Sequence, residues 1–180
     1  MLEDKVLIWK FKRGSSDALC KIYQKYKRYL LTLVASLVND FNTAEDVVHD
    51  FFVSFAQSSE KLKLQGSLKS YLAVCVVNKA RDRIRNNSRR PENLEQAELL
   101  CTNEISPEFS AICNEEFQLL YSALKQIPYE QKEAIMLHIK GGIKFDDIAK
   151  MQNVSIKTVQ SRYRYGLDKL KIILNGKVQK

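Results

Sequence analysis

The stretch KFDDIAKMQNVSIKTVQSRYRYGLDKLK, residues 144–171, reads as two short helices joined by a tight turn. Phe145, Ile148 and Ala149 recur at i, i+3, i+4, the spacing of one buried helical face. Asn153 interrupts the pattern, and Asn tolerates the left-handed backbone that a sharp turn needs. Ser155 is placed to cap the second helix. That helix is expected to bury Ile156, Val159, Tyr163, Leu167 and Leu170. Its other face carries Lys157, Thr158, Gln160, Ser161, Arg162 and Arg164. An apolar back with a cationic, hydrogen-bonding front suits insertion into a DNA major groove.

The rest of the chain is read against this helix-turn-helix. At 180 residues with 45% apolar side chains, one large or two small folded domains are expected. The net charge of +8 and pI of about 9.3 favour a polyanionic partner. The charge is uneven: residues 1–90 carry net +8, residues 91–112 net −5 and residues 113–180 net +5. No apolar run approaches the roughly 18 residues of a membrane span. The opening MLEDKVLIWKFKRG lacks the long uncharged core of a signal peptide, so a cytoplasmic protein without membrane insertion is expected. Cys20, Cys75, Cys101 and Cys113 form no CxxC pair and read as reduced thiols, the first two packed in helices. His49 and His138 stand alone in helical patterns. Paired carboxylates, a nucleophile constellation and a Gly-rich phosphate loop are not seen. The expectation is therefore no catalytic residue, no metal, no cofactor and no small-molecule substrate.

Upstream of residue 113 the pattern is also helical. Asp4 to Phe11 forms a short helix. Asp17 to Val38 forms a long amphipathic one, capped by Ser15 or Ser16. Thr43-Ala44-Glu45-Asp46 reads as a capping box opening a helix that buries Val47, Val48, Phe51, Phe52 and Phe55. A basic, polar loop with Lys61 and Lys63 follows. Ser67 caps a fourth helix with Leu68, Tyr71, Leu72 and Cys75 on one face. That helix runs into Asn78, Lys79, Arg81, Arg83, Arg85, Arg89 and Arg90. A solvated face with a helix C-terminus that favours cations is one account of this run, but six cations in twelve residues exceed what capping requires, and phosphate contact is the better account. Residues 91–112 read as an acidic linker, with a short helix around Leu94–Leu100. Twenty such residues reach about 70 Å fully extended and about 25 Å as a flexible coil. From Ile112 the pattern returns with one helix carrying Phe117 to Leu124 and a second from Glu130 to Ile139, stopped by Gly141-Gly142.

These segments resemble a sigma factor of the extracytoplasmic-function group of the sigma-70 family. GSSDALCKIYQKYKRYL resembles the opening helix of region 2, TAEDVVHDFFVSF its polymerase-docking segment, and GSLKSYLAVCVVNKARDRIR its minus-ten segment. LKQIPYEQKEAIMLHIKGGIKFDDIAKMQNVSIKTVQSRYRYGLDKLK resembles region 4 from its proline to its recognition helix. The resemblance implies an all-α fold of two small domains. Residues 1–90 would be region 2, 91–112 the linker in place of region 3, and 113–180 region 4. It implies docking on the beta-prime clamp helices of core RNA polymerase through Glu45, Asp46, His49 and Asp50, and a contact with the beta flap. Promoter DNA would be held at the minus-ten element by Lys61, Lys63, Ser67, Lys69, Tyr71, Asn78, Lys79, Arg81 and Arg85. At the minus-thirty-five element the readers would be Lys157, Thr158, Gln160, Ser161, Arg162 and Arg164. It further implies control by an anti-sigma factor.

Each assignment has a plainer counterpart. Glu45 and Asp46 serve a helix N-terminus as well as a docking face, Tyr71 also lies on the apolar face, and Arg162 and Arg164 grip phosphate or read bases. Three positions depart from the family pattern. Ala56 stands where a tryptophan is common, with Phe51 and Phe55 available to fill the space. His49 replaces a glutamine, and Asn153 replaces the turn glycine. A stand-alone dimeric DNA-binding regulator shares the C-terminal module but leaves residues 43–85 without a purpose. An adaptor that binds protein and not DNA leaves the cationic front of the second helix unexplained.

Overall fold

The computed structural model describes residues 2–38, 40–59, 62, 64, 66–89 and 115–178, and every regular element among them is an α-helix. In chain order these are α1 (Leu2–Lys12), α2 (Ser16–Ala35), α3 (Phe41–Gln57), α4 (Leu68–Arg89), α5 (Glu115–Leu124), α6 (Tyr129–Ile139), α7 (Phe145–Gln152) and α8 (Ile156–Val178). The expected acidic linker, its short helix, Cys101 and Cys113 lie outside the described residues. None of the described helices is long and apolar enough to cross a membrane.

The first four helices pack around α2. Ser15 caps it, its Oγ accepting from the Ala18 N–H at 3.3 Å. The apolar stripe of α2, with Ile22, Leu30, Leu33 and Val34 fully buried, meets α1, α3 and α4. Cys20, expected to pack, is exposed on the outer side of α2, and Cys75 is half-buried on α4. The start of α3 differs from the sequence reading. The cap is Asp40, not Thr43. Its carboxylate accepts from the Asn42 N–H at 3.3 Å and the Thr43 N–H at 2.7 Å, and from the Thr43 hydroxyl at 2.6 Å. A carboxylate satisfies two orphan amides and complements the positive helix end better than a hydroxyl does, so the helix begins at Phe41. Burial would raise the Asp40 pKa, but the bonds from Thr43 and Asn42 more than offset it and lower it.

Phe51, Phe52 and Phe55 of α3 form the centre of this unit, with Phe55 stacked on Phe11 of α1 at 4.6 Å between ring centroids. Phe51 and Phe55 are buried in this centre and do not line the space beside Ala56. Ala56 instead lines an open apolar groove of about 470 Å³ with Leu19, Tyr23, His49, Phe52 and Val53.

The last four helices pack around α8, which meets α5, α6 and α7; α6 lies between α8 and the first unit. From the sequence this helix is expected to bury Ala134, Ile135 and Leu137 or His138, yet Lys132, Glu133, Ala134, Ile135, Met136 and Leu137 are buried in succession. The helix is covered by α7 and α8 on one side and by the first unit on the other, so its apolar pattern is not one-sided. Gly166 of α8 lies against it. A Cβ there would sit 2.7 Å from Ile135 Cδ1 and 3.2 Å from Gln131 Cβ, so a larger residue would require the Ile135 side chain to shift. His138 stacks on Phe145 at 4.1 Å and meets the edge of Tyr163 at 5.1 Å, a packing role.

The two units rest directly on each other, joined by side chains that mostly reach helix C-terminal carbonyls. Tyr29 Oη donates to Lys140 O at 3.1 Å and Ser70 Oγ to Gly141 O at 3.2 Å, both past the end of α6. Arg81 Nη1 donates to Met151 O at 2.6 Å in the last turn of α7. Lys132 Nζ donates to Leu37 O at 3.3 Å beyond α2. Such carbonyls lack helical partners, so cations and hydroxyls are their natural complements.

Candidate nucleic-acid and protein interface

The helix-turn-helix forms as the sequence suggests. Asn153 adopts φ 53° and ψ 49°, and the Val154 N–H returns to Ala149 O at 3.1 Å. Ser155 Oγ accepts from the Thr158 N–H at 3.1 Å. Val159 and Leu170 are buried, and Tyr163 and Leu167 are half-buried. Ile156, expected in the core, is 43% exposed. It occupies the first turn of α8 beside exposed Lys157, and the core begins one turn further along at Val159.

The front of α8 divides in two. Lys157, Gln160 and Arg164 are exposed, with Arg164 lying 5.0 Å over the exposed ring of Tyr165. Thr158, Ser161 and Arg162 are half-buried. The Thr158 hydroxyl is engaged with Ser155 at the cap, 2.9 Å away. Arg162 Nη1 donates to the Gln152 side-chain oxygen at 2.7 Å, which fixes the guanidinium against the end of α7.

On α4, Ser67 is spent on the helix cap, accepting from the Ser70 N–H at 3.0 Å. Lys69 is exposed, its ammonium 4.6 Å from the Tyr29 ring. Tyr71 is half-buried against Phe55, and burial followed by the neighbouring Cys75 pushes its pKa up to about 12. Lys61 and Lys63 lie outside the described residues. Asn78 and Arg85, seven residues apart and therefore on one helix face, are both exposed, with Arg85 paired to Asp82 at 3.1 Å. Lys79 leans across to α3, donating to Asp50 O at 2.7 Å and Ser54 Oγ at 2.9 Å.

All four expected polymerase-contact residues, Glu45, Asp46, His49 and Asp50, are exposed on α3. Asp46 and Asp50 share a groove of about 520 Å³ with Asn78, Lys79, Asp82 and Arg83 of α4. The carboxylates of α3 thus run directly into the cations of α4, and the two expected surfaces are continuous.

Arg81 behaves differently from its neighbours. It turns into the second unit and meets Glu133, Nε to Oε1 at 3.1 Å and Nη2 to Oε2 at 2.7 Å. Glu133 is 1% exposed and also accepts from Tyr129 Oη at 3.0 Å and from Gln152 Nε2 at 2.7 Å. Its two oxygens each accept twice, so the buried carboxylate is satisfied. Burial works against the Arg81 charge, but the Glu133 bonds and charge outweigh it and raise the pKa. Burial followed by Glu133 raises the Tyr129 pKa as well. Glu133, Tyr129 and Gln152 were not legible as a cluster. The one signal is a carboxylate directly preceding the apolar run Ala134–Leu137. Among the described residues, no group of three or more His, Cys, Asp or Glu could hold a metal ion.

Residues 22–90 match the family Sigma-70 region 2, and residues 117–170 match Sigma-70, region 4. The chain is 25% identical over 169 residues to the RNA polymerase sigma-H factor of Pseudomonas aeruginosa, covering 89% of this chain and 88% of that protein. It is 25% identical over 172 residues to the ECF RNA polymerase sigma-E factor of Escherichia coli (strain K12), with the same coverage, 89% and 88%. Among solved structures, CnrH in complex with the cytosolic domain of CnrY shares the fold with a TM-score of 0.64 at 21% identity, over 97% of this chain and 98% of that one. The sigma factor RpoE of Bartonella quintana, solved with the anti-sigma factor NepR, does so with a TM-score of 0.64 at 22% identity, over 86% and 97%.

Proposed function

The chain belongs to the sigma-70 family of RNA polymerase sigma factors, of the extracytoplasmic-function type, and we propose that it directs core RNA polymerase to a specific set of promoters. Sigma factors are not enzymes, so its contribution is binding and positioning. In this reading Glu45, Asp46, His49 and Asp50 dock on the beta-prime clamp helices. The neighbouring α4 set, with Lys61, Lys63, Ser67, Lys69, Tyr71, Asn78, Lys79, Arg81 and Arg85, holds the opened minus-ten element. Unstacking bases costs a few kcal/mol per step, and cationic and aromatic contacts recover it. The α8 front, Lys157 to Arg164, reads the minus-thirty-five element, and region 4 contacts the beta flap. Residues 1–90 and 113–180 are the two working domains, with 91–112 linking them.

The observation that carries this reading is the pairing of the two modules in one chain. An exposed cationic ridge on a capped helix-turn-helix helix follows, in order, a cationic helix continuous with an acidic docking face. A stand-alone regulator would use the first and have no use for the second. Since CnrH and the Bartonella protein were solved with CnrY and NepR, a partner of the anti-sigma class is proposed here as well. The site of action is the cytoplasm.

The test is transcription reconstituted from core polymerase, this protein and a library of promoter fragments. Initiation at a defined subset of fragments is expected. No initiation above core polymerase alone would overturn the assignment.

A further inference from the structure

We propose that Glu133 is a built-in competitor for Arg81, which keeps the free chain closed and withdraws this cation from DNA without any partner protein. The inference rests on the assignment of Arg81 to the DNA-binding face of α4. A carboxylate that takes a guanidinium through two parallel N–H bonds uses the same fork that would take a phosphate. With Nε and Nη2 on Glu133 and Nη1 on Met151 O, all three guanidinium nitrogens are engaged by the second unit. Arg81 can therefore serve the closed chain or a nucleic acid, and not both at once.

The surroundings suit a latch more than a permanent joint. Substantial helix packing lies within each unit, whereas the connections across the seam are long or hydroxyl-bearing side chains on carbonyls that water satisfies equally well. When the units part, Glu133 keeps Tyr129 and Gln152, which belong to its own unit, so the carboxylate is not orphaned. Arg81 then emerges on the same helix as exposed Asn78 and Arg85. Opening thus exchanges the ion pair and the few cross-seam bonds to carbonyls for hydration, and a variant lacking the carboxylate loses the charged member of that set.

The test uses the full-length chain without polymerase. Small-angle X-ray scattering reads the separation of the units, and fluorescence anisotropy with a labelled oligodeoxythymidylate reads access to Arg81. Glu133→Gln should enlarge the radius of gyration and tighten oligonucleotide binding by about tenfold, since the ion pair it removes exists in the closed state only. Tyr29→Phe combined with Ser70→Ala removes two neutral cross-seam donors and leaves Glu133 in place. It should shift both readouts the same way by a few-fold. If Glu133→Gln loses helix content by circular dichroism, the double variant decides alone. Unchanged radius and unchanged binding in the folded variants would overturn the latch. Neither readout involves polymerase, so failure here is distinct from failure of promoter-directed transcription.

Discussion

The aromatic centre of the first unit and the seam between the units solve opposite problems. Phe11, Phe51, Phe52 and Phe55 exclude water and hold α1 and α3 together by area and ring packing. That attraction is independent of pH and of any competing ion. The seam is fastened by Arg81, Lys132, Tyr29 and Ser70 on carbonyls and one carboxylate. Each of those groups has a comparable partner available in water or on a polyanion. A region stabilised by burial persists while the protein works; a region stabilised by exchangeable polar contacts opens when something competes for them. The contrast suggests that both units stay folded throughout and that function is controlled at the seam.

The largest expected effect breaks the aromatic side of this comparison. Phe55→Ala should lower global stability by about 3–5 kcal/mol, the usual cost of an aromatic cavity, as measured by urea unfolding. A loss below about 1 kcal/mol would mean the cluster is looser than its ring stacking implies.

Next comes a test of the outer surface. Arg162→Ala with Arg164→Ala should weaken binding of polymerase holoenzyme to promoter DNA by about ten- to a hundredfold, in line with about 1–3 kcal/mol for a specific contact. Affinity for core polymerase should stay unchanged. Loss of core binding would show that α8 serves docking and not promoter reading.

These two predictions differ in how far the sequence alone supports them. The aromatic core was readable because Val47, Val48, Phe51, Phe52 and Phe55 repeat with helical spacing, and a local pattern needs no knowledge of partners. The helix-turn-helix was readable for the same reason, down to the left-handed Asn153 and the Ser155 cap. Errors arose where two chemistries competed over a few residues. Asp40 outcompeted Thr43 as a cap because a carboxylate satisfies both amides. Ile156 lies one turn before the buried face begins. The seam was illegible, since Arg81 and Glu133 are 52 residues apart and neither carries a local sign of the other. In the sequence Arg81 looked like one of six equivalent cations.

A smaller effect tests the cap. Asp40→Ala should cost about 1 kcal/mol at neutral pH, read from thermal unfolding. Because the Asp40 pKa is lowered below 3.8 in the folded chain, its contribution is present above that value and lost as pH falls through the folded pKa. Wild type and variant should therefore converge in acid.

The smallest effect concerns Lys132, which faces Asp40, Arg83, Lys125 and Tyr129 around the seam. Burial, with a lesser push from Lys125, lowers its pKa from 10.5 to about 8. Between those values the folded chain binds fewer protons than the unfolded one, so this group makes stability rise with pH across that window. Opening restores only part of its hydration, so the change in domain closure should stay below about 1 kcal/mol. The difference between wild type and Lys132→Met, followed by scattering from pH 8 to 10.5, isolates it from other titrations. A difference independent of pH would remove Lys132 from the seam's balance.

The contrast between the two regions is tested most directly by the structure of this protein bound to core polymerase and promoter DNA, determined by electron cryomicroscopy. The expected result is an unchanged Phe11–Phe55 stack beside an opened seam, with Arg81 released from Glu133 and turned to nucleic acid. An intact Arg81–Glu133 pair with promoter DNA in place would contradict the account.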